Sequence, residues 1–91
     1  MINPGQIVRA DVGDYLEVVV LSSSRFHRLS DRALIAPLAR TFGSAWEIPH
    51  DDRSIHVHRG LFVPLPKLLE PLGQISTLTL TRCLHVLVRA L

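Results

Sequence analysis

Two apolar runs decide the fold: Glu17-Val18-Val19-Val20-Leu21-Ser22-Ser23-Ser24 and Ala33-Leu34-Ile35-Ala36-Pro37-Leu38-Ala39. Each is too short for a typical helix and is dominated by Val, Ile and Leu, which pack well on a pleated surface. They predict two central antiparallel strands, buried on both faces or nearly so, joined by a polar, basic loop from Arg25 to Arg32. The serines suit a strand exit, because their hydroxyls compete for local backbone hydrogen bonds. Pro37 has no N–H to give a ladder, so it is expected at a bulge or with its nitrogen facing away from a partner.

Working outward, Gln6 to Val12 alternates, with Val8, Ala10 and Val12 on one face and Ile7, Arg9 and Asp11 on the other, as in a half-buried strand. Gly13-Asp14 turns the chain back. Beyond the second run, residues 40–44 read as a loop in which Gly43 is free to take a positive φ. Ala45 to Ile48 reads as a short strand and Pro49 to Asp52 as a turn. Ser54 to His58 alternates, which predicts Ile55 and Val57 inward and His56 and His58 outward. Leu61 to Val63 continues as strand. Pro64, Pro66 and Pro71 then break the chain, leaving Lys67 to Glu70 at most a turn of helix. Ser76 is a suitable N-cap. After it, Leu80, Leu84, Leu87 and Leu91, with Cys83 beside them, lie opposite Thr79, Arg82, His85 and Arg89, an amphipathic helix of about four turns. Strands followed by one terminal helix imply an α+β, mainly β fold: a small, strongly bent antiparallel sheet or open barrel with a covering C-terminal helix.

At 91 residues the chain is expected to be a single domain, residues 1–91. It is 47% hydrophobic with a mean hydropathy of +0.27. A domain of this size buries a modest share of its surface, so the apolar excess predicts a second copy, as a homodimer. The net charge of +2 permits an anionic partner without demanding one. A single cysteine, Cys83, excludes an internal disulfide. No leader and no apolar run of the eighteen or so residues needed to span a membrane is visible. The cytoplasm is the expected location.

The candidate chemistry is cationic. His56 and His58 could share a metal with Asp51, Asp52 or His50, but no Cys or Glu completes a recognisable set, and they read as exposed histidines. No phosphate loop, dinucleotide fingerprint, zinc pattern, calcium loop or nucleophile elbow is present, so no metal and no cofactor are expected. What remains is Arg25, His27 and Arg28 after the first run, and Arg40-Thr41 after the second. Antiparallel pairing puts Arg40 near Gly13 to Leu16, at the opposite end from the 22–32 segment; two-fold symmetry could join unlike ends. Metal-free RNA cleavage needs a base for the 2′-hydroxyl, an acid for the leaving oxygen and cations for the phosphate. The candidates are Arg40, Thr41 and His27 as catalytic groups, and Arg25, Arg28, Ser22 and Ser23 as RNA contacts.

The order of these stretches resembles the toxins of the MazF/PemK and CcdB superfamily. Asn3-Pro4-Gly5-Gln6-Ile7-Val8-Arg9-Ala10-Asp11-Val12-Gly13 is similar to that family's "RGDIVWVDLG" opening. Val18 to Ser22 resembles its "PVVVLS" strand, Ala33 to Ala39 its "VIVAPLT" strand, and Gly73 to Ser76 its entry to the last helix. The resemblance implies an SH3-like barrel with a C-terminal helix, a homodimer, and a toxin neutralised by a cognate antitoxin. It implies a MazF-type, metal-independent, sequence-specific endoribonuclease that inhibits translation; the alternative is a CcdB-type, non-enzymatic inhibitor of DNA gyrase or another protein. The family's functional residues do not carry over. Leu16 and Glu17 stand at its Arg-Pro, Ala39 at its threonine, and Val63-Pro64 near its acidic loop residue. Arg89-Ala90-Leu91 stands where CcdB carries Trp-Gly-Ile.

Overall fold

The computed structural model describes residues 2–91. Seven strands form one bent antiparallel sheet: β1 (Gln6–Val12), β2 (Tyr15–Val20), β3 (Arg32–Ala39), β4 (Glu47–His50), β5 (Arg53–His56), β6 (Leu61–Pro64) and β7 (Leu68–Gln74). A short helix, α1 (Ser24–Ser30), joins β2 to β3, and α2 (Thr77–Ala90) ends the chain. The strand order is β4-β5-β3-β2-β1-β7, with β6 also paired to β3. This is the mainly β architecture with a C-terminal helix that the strand pattern implies.

The central strands are buried on both faces. Successive side chains point to opposite faces, so β2 feeds two cores. Val19 and Leu21 join Ile7, Ala36, Leu38, Ile55, Val57, Ile75, Cys83 and Val86 beneath α2. Val18 and Val20 join Val8, Ala10, Ala33, Ile35, Val63 and Leu68 on the other face. Val8, Val18, Val19, Val20, Ile35 and Ile55 are all 0% exposed; each such side chain contributes about 1.5–3 kcal/mol relative to leaving it in water. Pro37 faces Val18 of β2. On its other edge β3 pairs β6 up to Ile35 and β5 from Leu38, so Pro37 falls where the ladder changes partner and a missing donor matters least.

Four expectations about the strands and their connections are corrected. The basic segment after β2 is a helix: Ser23 caps it, accepting from the Phe26 N–H at 3.2 Å, and Asp31 closes it in the left-handed region at φ 57°. Its sequence, SRFHRLS, buries only His27, so it shows no apolar helical period. The strand read from Ala45 begins at Glu47 and runs through Pro49 to His50, leaving Asp51-Asp52 as the turn. His56 is not outward: β5 ends there and a 3₁₀ turn (Val57–Arg59) breaks the alternation, leaving His56 1% exposed and His58 in solvent. Leu68 to Gln74 is a strand despite Pro71. It is an edge strand paired only to β1, with shifts in register around Pro71, the setting in which a strand tolerates proline.

The terminal helix starts as expected, with Ser76 accepting from the Thr79 N–H at 3.1 Å. Its buried face is rotated from the leucine stripe. Cys83 and Val86 are its buried residues, with Leu80 and Leu87 beside them, while Leu84 and Leu91 are exposed. Burial pushes the Cys83 thiol up to about 11, which leaves it inert as a nucleophile. Among the described residues, no helix is long and apolar enough to cross a membrane.

Candidate functional site

The residues singled out in the sequence lie at the two ends of β3, whose eight residues span about 26 Å. Ser22, Ser23, Arg25, His27 and Arg28 gather where it begins; Arg40 and Thr41 follow its last residue. One protomer does not bring His27 to Arg40.

At the first end the polar groups are spent on the chain itself. His27, 4% exposed, has Nδ1 3.1 Å from the Ile2 carbonyl oxygen, so that nitrogen carries the proton. Its Nε2 therefore accepts from the Ser22 hydroxyl at 2.7 Å, and the Ser22 oxygen accepts in turn from the Leu34 N–H at 2.8 Å. Ser23 is the helix cap. Arg25 and Arg28 stand exposed on α1, and among the described residues neither forms an ion pair.

The other end is built differently. Residues 40–44 have no regular structure, and Arg40, Thr41 and Phe42 are exposed. Three buried polar side chains of the β4–β5 hairpin hold them. Glu47 and His56 face each other across that hairpin. The Glu47 carboxylate accepts from the Phe42 N–H at 2.9 Å and from the Ser44 N–H at 2.8 Å. Burial pushes this carboxyl up, but the N–H groups of Phe42 and Ser44, the neighbouring His56 imidazole and the Gly43 N–H outweigh it and hold it below its ordinary value. His56 donates from Nε2 to the Arg40 carbonyl at 2.8 Å, and Ser54 shares a 2.7 Å hydrogen bond with the Thr41 hydroxyl.

Above these anchors lies a cationic, aromatic surface. The Arg40 guanidinium sits 4.8 Å from the centre of the Phe42 ring and that of Arg59 5.9 Å from it. Phe42 meets His56 edge-on at 5.6 Å, and the His56 and His58 rings are 5.8 Å apart. Arg59 reaches the Tyr15 hydroxyl at 3.4 Å, placing the start of β2 on the same surface. Arg53 is neutralised by Glu17 at 3.1 Å, a hydrogen bond that raises its pKa. The β2–β3 register, carried two residues further, sets Leu16 opposite Ala39. The two positions where the resembled toxins keep Arg and Thr are thus neighbours and apolar here, with Arg40, Thr41 and Arg59 beside them. Among the described residues no three His, Cys, Asp or Glu side chains are grouped to hold a metal ion.

Phe42, Glu47, His56, His58 and Arg59 were not legible as members of one site. One signal was present: two-residue turns favour positive φ, and Asp51 has φ 54°. Counting back from Asp51-Asp52 pairs Glu47 with His56, a carboxylate facing an imidazole.

No family model and no curated protein matches the sequence. Solved structures do. A MazE-MazF complex from Deinococcus radiodurans matches with a TM-score of 0.85 at 15% identity, over 98% of this chain and 93% of that one. An endoribonuclease in complex with its cognate antitoxin, from a mycobacterial species, matches at 0.84 and 15%, over 99% and 94%. The Mycobacterium tuberculosis toxin MazF-mt6 matches at 0.81 and 18%, over 93% and 94%. The chain has the MazF fold. The candidate site lies on its β3–β4 loop.

Proposed function

We propose that the chain is the toxin of a toxin–antitoxin pair and acts as a metal-independent endoribonuclease on single-stranded RNA, inhibiting translation and growth. The observation that carries this reading is the exposed Arg40–Phe42–Arg59 surface, held by buried Glu47, Ser54 and His56 on a MazF-like fold. Arginines bind phosphate and stabilise the charge that develops on it, and an aromatic face takes an unpaired base. In the reaction the 2′-oxygen bonds to the adjacent phosphorus as the bond to the 5′-oxygen breaks. The 2′-proton goes to a base and a proton is delivered to the leaving oxygen. Arg40 and Arg59 hold the phosphate, Phe42 stacks a flanking base, and the Thr41 hydroxyl orients a phosphate oxygen. Arg25 and Arg28, with the serines they follow, are at most remote contacts for a longer strand.

The partners follow from the same reading. A cognate antitoxin would cover the cationic surface with an acidic segment. A second copy would cover the apolar patch where Phe26 packs at a tilt against exposed Phe62, with exposed Leu29 one turn along the same helix. Incubating the purified protein with total RNA, with and without EDTA, and mapping new 5′ ends tests the activity. Discrete EDTA-resistant cuts are expected. Growth arrest with intact RNA would instead point to inhibition of gyrase or another protein by contact.

A further inference from the structure

His27 and His56 are both buried, yet they use their nitrogens differently. His27 spends both. His56 spends only Nε2, as donor to the Arg40 carbonyl, and its Nδ1 is buried without a partner. With the proton on Nε2, Nδ1 of the neutral ring is a bare acceptor. Such a buried, unpaired acceptor destabilises a fold, so its retention calls for a reason. A candidate donor is His58, whose ring centre is 5.8 Å from that of His56. Each ring nitrogen lies about 1.1 Å from its centroid, so turning alone brings the two nitrogens to about 3.6 Å, and the exposed His58 side chain closes an N–H···Nδ1 hydrogen bond by also swinging on the order of half an ångström inward.

On the reading of the site as a ribonuclease, we propose that His58 is the proton acceptor for the 2′-hydroxyl and that His56 is its positioning residue. When the His58 ring turns to donate one N–H to Nδ1 of His56, its second nitrogen becomes a free acceptor directed away from the protein. One imidazole then fixes two partners: the Arg40 backbone through Nε2 and the His58 tautomer through Nδ1. The order is that of a base oriented by a second group. Glu47, across the hairpin from His56 and bonded to the Phe42 and Ser44 amides, keeps the loop from drifting as His58 turns. His58 neighbours His56, and Arg40 and Arg59 gather on the Phe42 ring that packs edge-on against the same His56 imidazole. Both arginines bring phosphate to the same place.

The test is kinetic and spectroscopic. His58→Ala is expected to lower kcat about 100-fold, the low end for a lost general base, with KM within about twofold. His56→Leu fills the same volume without either nitrogen and is expected to lower kcat comparably. His56→Gln, which keeps an amide N–H and an acceptor oxygen, should recover at least tenfold of that loss. In the double variant His56→Leu/His58→Ala the losses should not add, since one group acts through the other. Nitrogen-15 spectra of the wild type with a non-cleavable 2′-deoxy oligonucleotide should show one dominant neutral tautomer for His58, mixed in His56→Leu. Additive losses, or a His58 tautomer unchanged by His56→Leu, overturn the proposal. If the wild type cuts no RNA while Arg40→Ala changes nothing, the ribonuclease reading itself fails.

Discussion

The two ends of β3 carry similar residue types and use them in opposite ways. At its start the imidazole of His27 and the hydroxyls of Ser22 and Ser23 are turned inward on the backbone, tying Ile2, Leu34 and α1 together. At its end the buried groups Glu47, Ser54 and His56 grip a loop from below and leave Arg40, Thr41 and Phe42 facing solvent. Cations and histidines near a strand end therefore do not mark a site by themselves. What separates the ends is where the hydrogen bonds go, and whether exposed arginines are left beside an aromatic face.

The comparison breaks first on Arg40. Arg40→Ala is expected to reduce RNA cleavage at least about 100-fold, the usual effect of losing one preorganised donor to a developing anion. The thermal midpoint should hardly move, because the side chain is exposed. Arg28→Ala, on exposed α1, should leave cleavage within about twofold. Equal losses in the two variants would mean that both ends serve one surface, as across a two-fold axis.

The next effect belongs to stability and to the other end. His27→Leu deprives the Ile2 carbonyl and the Ser22 hydroxyl of partners in a buried place. Unfolding free energy should fall by about 2–4 kcal/mol, from lost hydrogen bonds and stranded polar groups. Urea titration measures it. Cleavage at saturating RNA, below the unfolding transition, should persist; its disappearance would mark His27 as a catalytic group.

The strands of the core were legible because their signal is local. Val18-Val19-Val20 and Ala33 to Leu38 announce burial on two faces, and β1 announces itself by alternation. The N-cap Ser76 and the four-turn helix after it follow from residues within one turn of each other. What escaped depends on partners distant in sequence. β7 survives Pro71 only because it lies at an edge with an irregular register against β1. His56 faces inward because a 3₁₀ turn ends its strand, and Arg40 needs its carbonyl answered from 16 residues away. Arg40 and Thr41 could be named from the sequence since they follow a strand end. Arg59, His58 and Phe42 could not be joined to them, because their proximity is fixed by β3 pairing with β5 rather than by any period along the chain.

A smaller effect separates the caps. Ser23→Ala should cost about 1 kcal/mol, as loss of an N-cap hydroxyl generally does. It should fall on α1 and its His27 contact, seen as faster amide exchange at Phe26, whose N–H the cap accepts. Phe42 and Ser44, at the far end of β3, should exchange as before. Acceleration at all three would show that the two ends open as one unit.

The last effect is full at neutral pH and fades in acid. The folded-state pKa of Glu47 lies below its unfolded value, so its contribution to stability is fully present above the ordinary carboxyl range and is lost as pH falls through the folded pKa. Glu47→Gln loses the charge and leaves the Ser44 or Phe42 N–H facing an amide that can satisfy only one of them. It should therefore be less stable than the wild type at pH 7, and the difference should narrow as pH drops below about 4.5. Ser23→Ala involves no titrating group and should keep a constant difference from the wild type over the same window. Urea midpoints at pH 7, 5, 4 and 3 decide the matter. A Glu47→Gln difference that does not narrow would mean that the carboxylate is not what holds the loop, and the contrast between the two ends would then rest on His56 and Ser54 alone.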